Sequence, residues 1–125
     1  MAPIRILLVE DNDVYRASLE LVLSLEEGIE VVGGVSDGAS AAGACADTGA
    51  DVVLMDFRLP GMDGADATVA VLDACPGAAV VCLTAEATDP EDDAVRAAGA
   101  AALVRKGGPI SELVAAVQAA AGRHR

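Results

Sequence analysis

Five short aliphatic runs, each followed by a segment with helical spacing, divide this chain into repeating units of strand and helix. The runs are Ile4 to Val9, Ile29 to Val32, Val52 to Asp56, Ala79 to Leu83 and Ala101 to Arg105. Two parallel strands need a long crossover between them, and a helix packed on the sheet is the usual one. Five such units predict an α/β domain with helices on both faces of a parallel sheet. At 125 residues the chain suits a single domain, residues 1–125, with a substantial core. Only 2% of the residues are aromatic, so small and branched aliphatics must fill that core.

The helices can be placed by period and by their ends. The first is expected from about Val14 to Leu25, with Val14, Ser18, Leu21, Val22 and Leu25 as the stripe against the sheet. Asp37 is expected to cap a short second helix that reaches Thr48 and stops at Gly49. A third runs from Gly64 to Ala74, ahead of Pro76-Gly77. Asp89 as N-cap and Pro90 at the first helical position mark the fourth, and Pro109 opens the fifth, with its stripe at Ile110, Leu113, Val114 and Val117. The third strand is the most continuously apolar and is expected at the centre of the sheet. The basic end, Arg123-His124-Arg125, reads as a frayed terminus or the start of a linker.

Charge narrows the partners. Eight basic against twenty acidic residues leave a net charge of −12. Such a surface repels phosphate backbones, so direct nucleic-acid binding by this segment is not expected. Cys45, Cys75 and Cys82 lack metal-ligand spacing and form no disulfide framework, which suits a reducing cytoplasm. No apolar run approaches the roughly 18 uncharged residues of a membrane helix.

The candidate chemistry lies where the strands end. In open α/β sheets ligands gather outside the carboxyl ends of the strands. Here the runs lead into Glu10-Asp11, Asp56, Thr84 and Lys106. Three carboxylates in close quarters repel one another and call for a cation; an all-oxygen, water-accessible site suits Mg²⁺. A carboxylate neutralised in this way can attack phosphorus to give an aspartyl phosphate. Lys106 then offers a point charge, and Thr84 a hydroxyl, to the transferred group. Taken singly, Glu10-Asp11 is equally well read as a solvated helix-capping turn, Lys106 as a surface lysine and Thr84 as a strand-end hydroxyl. Their joint placement at strand ends is what favours a site.

In order and spacing, Leu8-Val9-Glu10-Asp11, Leu54-Met55-Asp56-Phe57-Arg58-Leu59-Pro60-Gly61-Met62-Asp63-Gly64, Leu83-Thr84-Ala85 and Arg105-Lys106 resemble the receiver domain of two-component response regulators, from Ile4 to about Ala121. The resemblance implies a flavodoxin-like, doubly wound five-stranded parallel sheet in order 2-1-3-4-5 with five helices, two on one face and three on the other. It implies that Asp56 accepts a phosphoryl group from a sensor histidine kinase. Asp11, Asp56 and the main-chain carbonyl of Arg58 would ligate Mg²⁺, with Glu10 acting through water; Thr84 and Lys106 would bind the phosphoryl oxygens. Such a domain is a signalling switch, enzymatic only in assisting its own phosphotransfer and slow autodephosphorylation. Its partners are the kinase, an output domain or partner protein, and a second copy through the face made by the fourth helix, fifth strand and fifth helix. The likeness is to receivers with helix-turn-helix outputs that regulate transcription, so this segment is expected to belong to a longer regulator, with a natural single-domain regulator that docks another protein as the alternative.

Three details depart from the common pattern. Glu10 stands where aspartate is also common, Leu103 occupies the strand-five position often held by a switching aromatic, and Gly107 follows Lys106 where many members have proline. Arg58 and Glu86, each two residues beyond a site residue, are expected to pair across the mouth. A haloacid-dehalogenase-type hydrolase would need an acid where Arg58 stands. A dinucleotide-binding module would need a glycine-rich turn where Glu10-Asp11-Asn12-Asp13 stands. The remaining alternative is a receiver-like interaction or dimerisation module in which phosphorylation is dispensable.

Overall fold

The structure is a computed structural model that describes residues 2–86 and 88–123. The expected tail residues His124 and Arg125 lie outside the described residues. Strands β1 (Ile4–Val9), β2 (Ile29–Val35), β3 (Val52–Asp56), β4 (Ala79–Thr84) and β5 (Ala102–Arg105) form one parallel sheet in the order β2-β1-β3-β4-β5. All five residues of β3 are buried, as expected of its unbroken apolar run at the centre. After it, Arg58–Leu59 and Met62–Asp63 make a two-residue antiparallel ladder around Pro60-Gly61, with Gly61 at φ 73°.

Helices α1 (Asp13–Ser24) and α5 (Ile110–Arg123) cover one face of the sheet; α2 (Ala41–Thr48), α3 (Gly64–Ala74) and α4 (Asp89–Ala97) cover the other. The period of two along each strand feeds both layers. Ile6, Leu8, Val52 and Leu54 meet Leu19, Leu23, Leu113 and Val117. Leu7, Val9, Val53 and Met55 meet Ala41, Cys45, Ala67 and Val71. Each buried Val or Leu removes enough apolar surface to stabilise the fold by about 1.5–3 kcal/mol. Burial also pushes the Cys45 and Cys82 thiols up, to about 12 and about 11, so both serve as small core hydrophobes. Among the described residues, no helix is long and apolar enough to cross a membrane.

The expected face of α1 is wrong. Leu19 and Leu23 are the residues it buries, whereas Val14, Leu21 and Leu25 are 77%, 65% and 79% exposed, and Ser18 and Val22 are also on the surface. Positions 15, 19 and 23 share a helix face at i+4 spacing, and 14, 18, 21, 22 and 25 share another at i+3 and i+4 spacing, so period alone left two candidates. One cap also moves. Asn12, within the Asp11-Asn12-Asp13 turn, caps α1, its side chain accepting from Tyr15 N, but Thr88 rather than Asp89 caps α4, accepting from Glu91 N. Asp37 accepts from Ser40 N at 2.8 Å, one turn before α2 begins. Gly49 ends α2 at φ 66°, as expected.

Candidate functional site

Ladder hydrogen bonds carry each strand end to the same edge. Glu10 N donates to Val35 O at 3.0 Å, Phe57 N to Leu83 O at 2.7 Å and Lys106 N to Thr84 O at 2.7 Å. The register therefore places Glu10, Asp56, Thr84 and Lys106 side by side. Glu10, Asp56 and Thr84 are 2%, 5% and 1% exposed, while Asp11 opens to solvent.

Lys106 ties the carboxylates together. Its Nζ lies 2.5 Å from Glu10 Oε1 and 3.2 Å from Asp56 Oδ2, and 4.9 Å from the centre of the Tyr15 ring. The other Glu10 oxygen accepts from Asn12 N at 3.0 Å, and Asp56 Oδ1 accepts from Arg58 N at 3.3 Å. From α1, Arg16 donates to the main-chain oxygen of Glu10 at 2.6 Å and pairs with Asp13, which fixes the turn carrying Glu10.

The charges are unequal in their support. Burial would raise the Glu10 carboxyl, but the Lys106 ammonium and the Asn12 N–H outweigh it and hold the group below its ordinary value. Asp56 is pushed up to about 6, first by burial and then by the Glu10 charge, with Lys106 only partly offsetting them. Burial works against the Lys106 ammonium, yet Glu10 and Asp56 keep its pKa raised. Lys106 sits nearer Glu10, so Asp56 bears the remaining repulsion.

That imbalance bears on a metal ion. Oxygens of Glu10, Asp11 and Asp56 all lie within 4.8 Å of one another, a donor set of hard, anionic ligands. One lysine against three carboxylates leaves 1 − 3 = −2 at the cluster. The residues fit a divalent, oxygen-preferring cation such as Mg²⁺, which would relieve the repulsion felt by Asp56.

The Thr84 hydroxyl turns towards α4. Its Oγ1 donates to the Glu91 carboxylate, 2.5 Å away, and lies 3.0 Å from Glu86 O. Arg58 does not pair with Glu86; its guanidinium reaches Glu91 Oε2 at 3.3 Å. Spacing suggested Glu86 because it counts residues from Thr84, but the chain turns after Thr84 and the first turn of α4 folds back over the mouth. With the Arg58 side chain 75% exposed, the pair contributes only about 0–1 kcal/mol. Glu91, Tyr15 and Asn12 were not legible as site residues. For Glu91 a signal existed: Thr88-Asp89-Pro90-Glu91 has T-x-x-E spacing, which places an acid in the first turn of the helix that follows Thr84.

Comparison with known proteins bears on the family and the fold. The family described as "Response regulator receiver domain" matches residues 6–118. The response regulator UvrY of Escherichia coli (strain K12) is 36% identical over 115 residues, covering 92% of this chain and 53% of its own length. The signal receiver domain of NarL from Mycobacterium tuberculosis superposes with a TM-score of 0.91 at 30% identity, covering 98% of both chains. A two-component response regulator of the LuxR family from Aurantimonas sp. SI85-9A1 gives a TM-score of 0.92 at 28% identity, covering 99% of this chain and 89% of that one. The chain spans about half the length of the curated relatives it matches.

Proposed function

Because the chain belongs to the response regulator receiver domain family, we propose that it is a phosphorylation-controlled switch. It accepts a phosphoryl group on Asp56 from the phosphohistidine of a sensor kinase and passes the new state to an output domain or partner protein. The observation that carries this reading is the buried Asp56 carboxylate, 3.2 Å from Lys106 Nζ and clustered with Glu10 and Asp11. An interaction module that dispenses with phosphorylation has no use for three mutually repelling carboxylates.

In the transfer, an Asp56 oxygen forms a bond to phosphorus while the phosphorus–nitrogen bond to the donor imidazole breaks, and that nitrogen takes up a proton. Lys106 stands beside Asp56 to meet negative charge on the phosphoryl oxygens. Asn12 N–H and Arg16 keep the Glu10 turn in place while this happens. Asp11, Asp56 and the main-chain oxygen of Arg58 would hold Mg²⁺, with Glu10 acting through water. Bound there, the ion supplies positive charge that lets two anions approach. Autodephosphorylation is the reverse demand on the same site, water replacing Asp56 at phosphorus.

The direct test is incubation with phosphoramidate and Mg²⁺ followed by mass spectrometry. One phosphoryl group per chain is expected, and an unmodified chain would sink the reading. Asp11→Ala should weaken Mg²⁺ binding by about tenfold or more and slow labelling with it, since one of few charged ligands is gone. Wild-type metal affinity in a titration would remove Asp11 from the ligand set.

For output, we place the signal on the face made by α4, β5 and α5. It carries Asp92, Asp93, Arg96, Arg105 and Glu112, mixed charges that a two-fold dimer can pair reciprocally, whereas Glu91, expected on the same face, turns into the site. Arg96 now bonds Asp92 within α4, at 2.9 and 3.0 Å. A phosphoryl mimic with Mg²⁺ should raise the apparent mass in sedimentation, and Arg96→Glu should prevent it. A monomer throughout, well above micromolar concentration, leaves the output domain or another protein as the receiver of the signal. The length of the curated relatives supports an output domain beyond this segment, and transcription is the output we assign by analogy with the LuxR-family neighbour. We assign the switch to the cytoplasm, a reading supported by the proposed phosphohistidine donor and by the free thiols of Cys45, Cys75 and Cys82.

A further inference from the structure

The Thr84 hydroxyl has one proton to donate, and the structure directs it away from Asp56. Thr84 Oγ1 lies 2.5 Å from Glu91 Oε1, its nearer and charged acceptor, and 3.0 Å from the main-chain oxygen of Glu86; Glu91 Oε2 accepts from the Arg58 guanidinium at 3.3 Å. The Glu91 side chain is only 11% exposed, although Thr88, Asp89 and Pro90 before it are on the surface. A carboxylate leaves water only when donors replace its hydration, and here two donors from the site do so. Glu91 also belongs to the first turn of α4, its N–H donating to the cap oxygen of Thr88 at 3.3 Å.

We propose that Glu91 is a positioning residue that competes with the phosphoryl group for the Thr84 hydroxyl. The proposal rests on Asp56 being the phosphoacceptor, and it assigns the control of that same site. While Asp56 is unmodified, Glu91 holds Thr84 and, through its own backbone, the start of α4. A phosphoryl oxygen at Asp56 can claim the Thr84 proton only when Glu91 releases it, because one hydroxyl cannot donate fully to two acceptors. Release frees the Glu91 carboxylate and loosens its hold on the first turn of α4. The state of Asp56 is thereby converted into the position of a helix, without an aromatic side chain at Leu103.

Titration calorimetry of the whole chain with beryllium fluoride and Mg²⁺, a phosphoryl mimic, tests this. Glu91→Ala should bind the mimic about 3–10-fold more tightly, the gain expected when one charge-assisted competitor is removed. Glu91→Gln should fall between, since its amide oxygen still accepts but carries no charge. In a Thr84→Val background the Glu91 substitutions should change affinity less than about twofold, because the contested hydroxyl is gone. A purely structural role for Glu91 would not produce that dependence on Thr84. Far-UV circular dichroism checks that α4 persists; if Glu91→Ala loses helix, the isosteric Glu91→Gln carries the comparison. Affinity equal to or weaker than wild type, or the same gain in both backgrounds, overturns the competition. Failure of the wild-type chain to bind the mimic would instead overturn the phosphoacceptor reading, and this proposal with it.

Discussion

Asp56→Asn takes up no phosphoryl group from phosphoramidate and Mg²⁺ under conditions where the wild-type chain takes up one. The substitution keeps the volume and removes the nucleophilic charge, so loss of labelling cannot be blamed on a collapsed fold. Labelling at the wild-type extent would show that another residue is modified. The same variant should be more stable than wild type at neutral pH in the absence of divalent cation. The folded chain holds the Asp56 proton more tightly than an ordinary carboxyl does, at about 6 against 3.8, chiefly through burial and then the Glu10 charge. For a raised acid the sign is unfavourable: ionised Asp56 destabilises the fold above about pH 6, and the penalty vanishes below about pH 4, where both states are protonated. Two pKa units would amount to about 3 kcal/mol; with water at the mouth of the site, a gain of about 1–2 kcal/mol is expected. Urea midpoints measured with a chelator should show that gain at neutral pH and its loss between about pH 6 and pH 4. A gain that does not change with pH would have another origin.

Gly64→Ala should cost about 2–3 kcal/mol of stability, a fall of roughly 10 °C in Tm for a domain of this size. Gly64 is buried at the start of α3, and a Cβ there would stand 2.7 Å from Phe57 Cα and 3.0 Å from Asp56 O. Both are main-chain atoms and cannot swing aside. Gly64 N also donates to Phe57 O at 2.6 Å, and Gly64 O accepts from Thr68 Oγ1 at 2.6 Å, so the glycine cannot withdraw without losing bonds. Because the displaced segment carries Asp56, slower labelling should accompany the lost stability. Gly43→Ala provides the contrast. It lies in α2 with nothing within 4 Å of an added Cβ, and should raise stability by about 0.5–1 kcal/mol. An unchanged midpoint for Gly64→Ala would show that the β3–α3 junction is looser than its contacts imply.

Much of the site was written locally. Glu10, Asp11, Asp56, Thr84 and Lys106 could be placed because each follows a β-branched run, and parallel register sends all such ends to one edge. Gly49 and the bounds of α3 were equally legible, because a left-handed helix end and a Pro-Gly stop are properties of a few adjacent residues. Glu91 was not. It appeared as one of several surface acids, and its role depends on a turn that brings residue 91 within 2.5 Å of residue 84.

The sequence by itself determined which segments become strands and helices, the order in which they alternate, and which residues stand at the strand ends. These follow from periodicity, caps and the steric limits of glycine and proline, all of which act over a few residues. Only the tertiary structure decided that Leu19 and Leu23, not Leu21 and Leu25, face the sheet, and that the carboxylate of Glu91, not that of Glu86, receives Arg58 and Thr84. In α1 both faces are apolar enough to pack, so the choice falls to the fit against β1 and β2. Around Thr84 several carboxylates are close in sequence, and the path of the loop into α4 decides which one arrives. Such choices belong to long-range packing, because the competing partners are chemically alike and differ only in position.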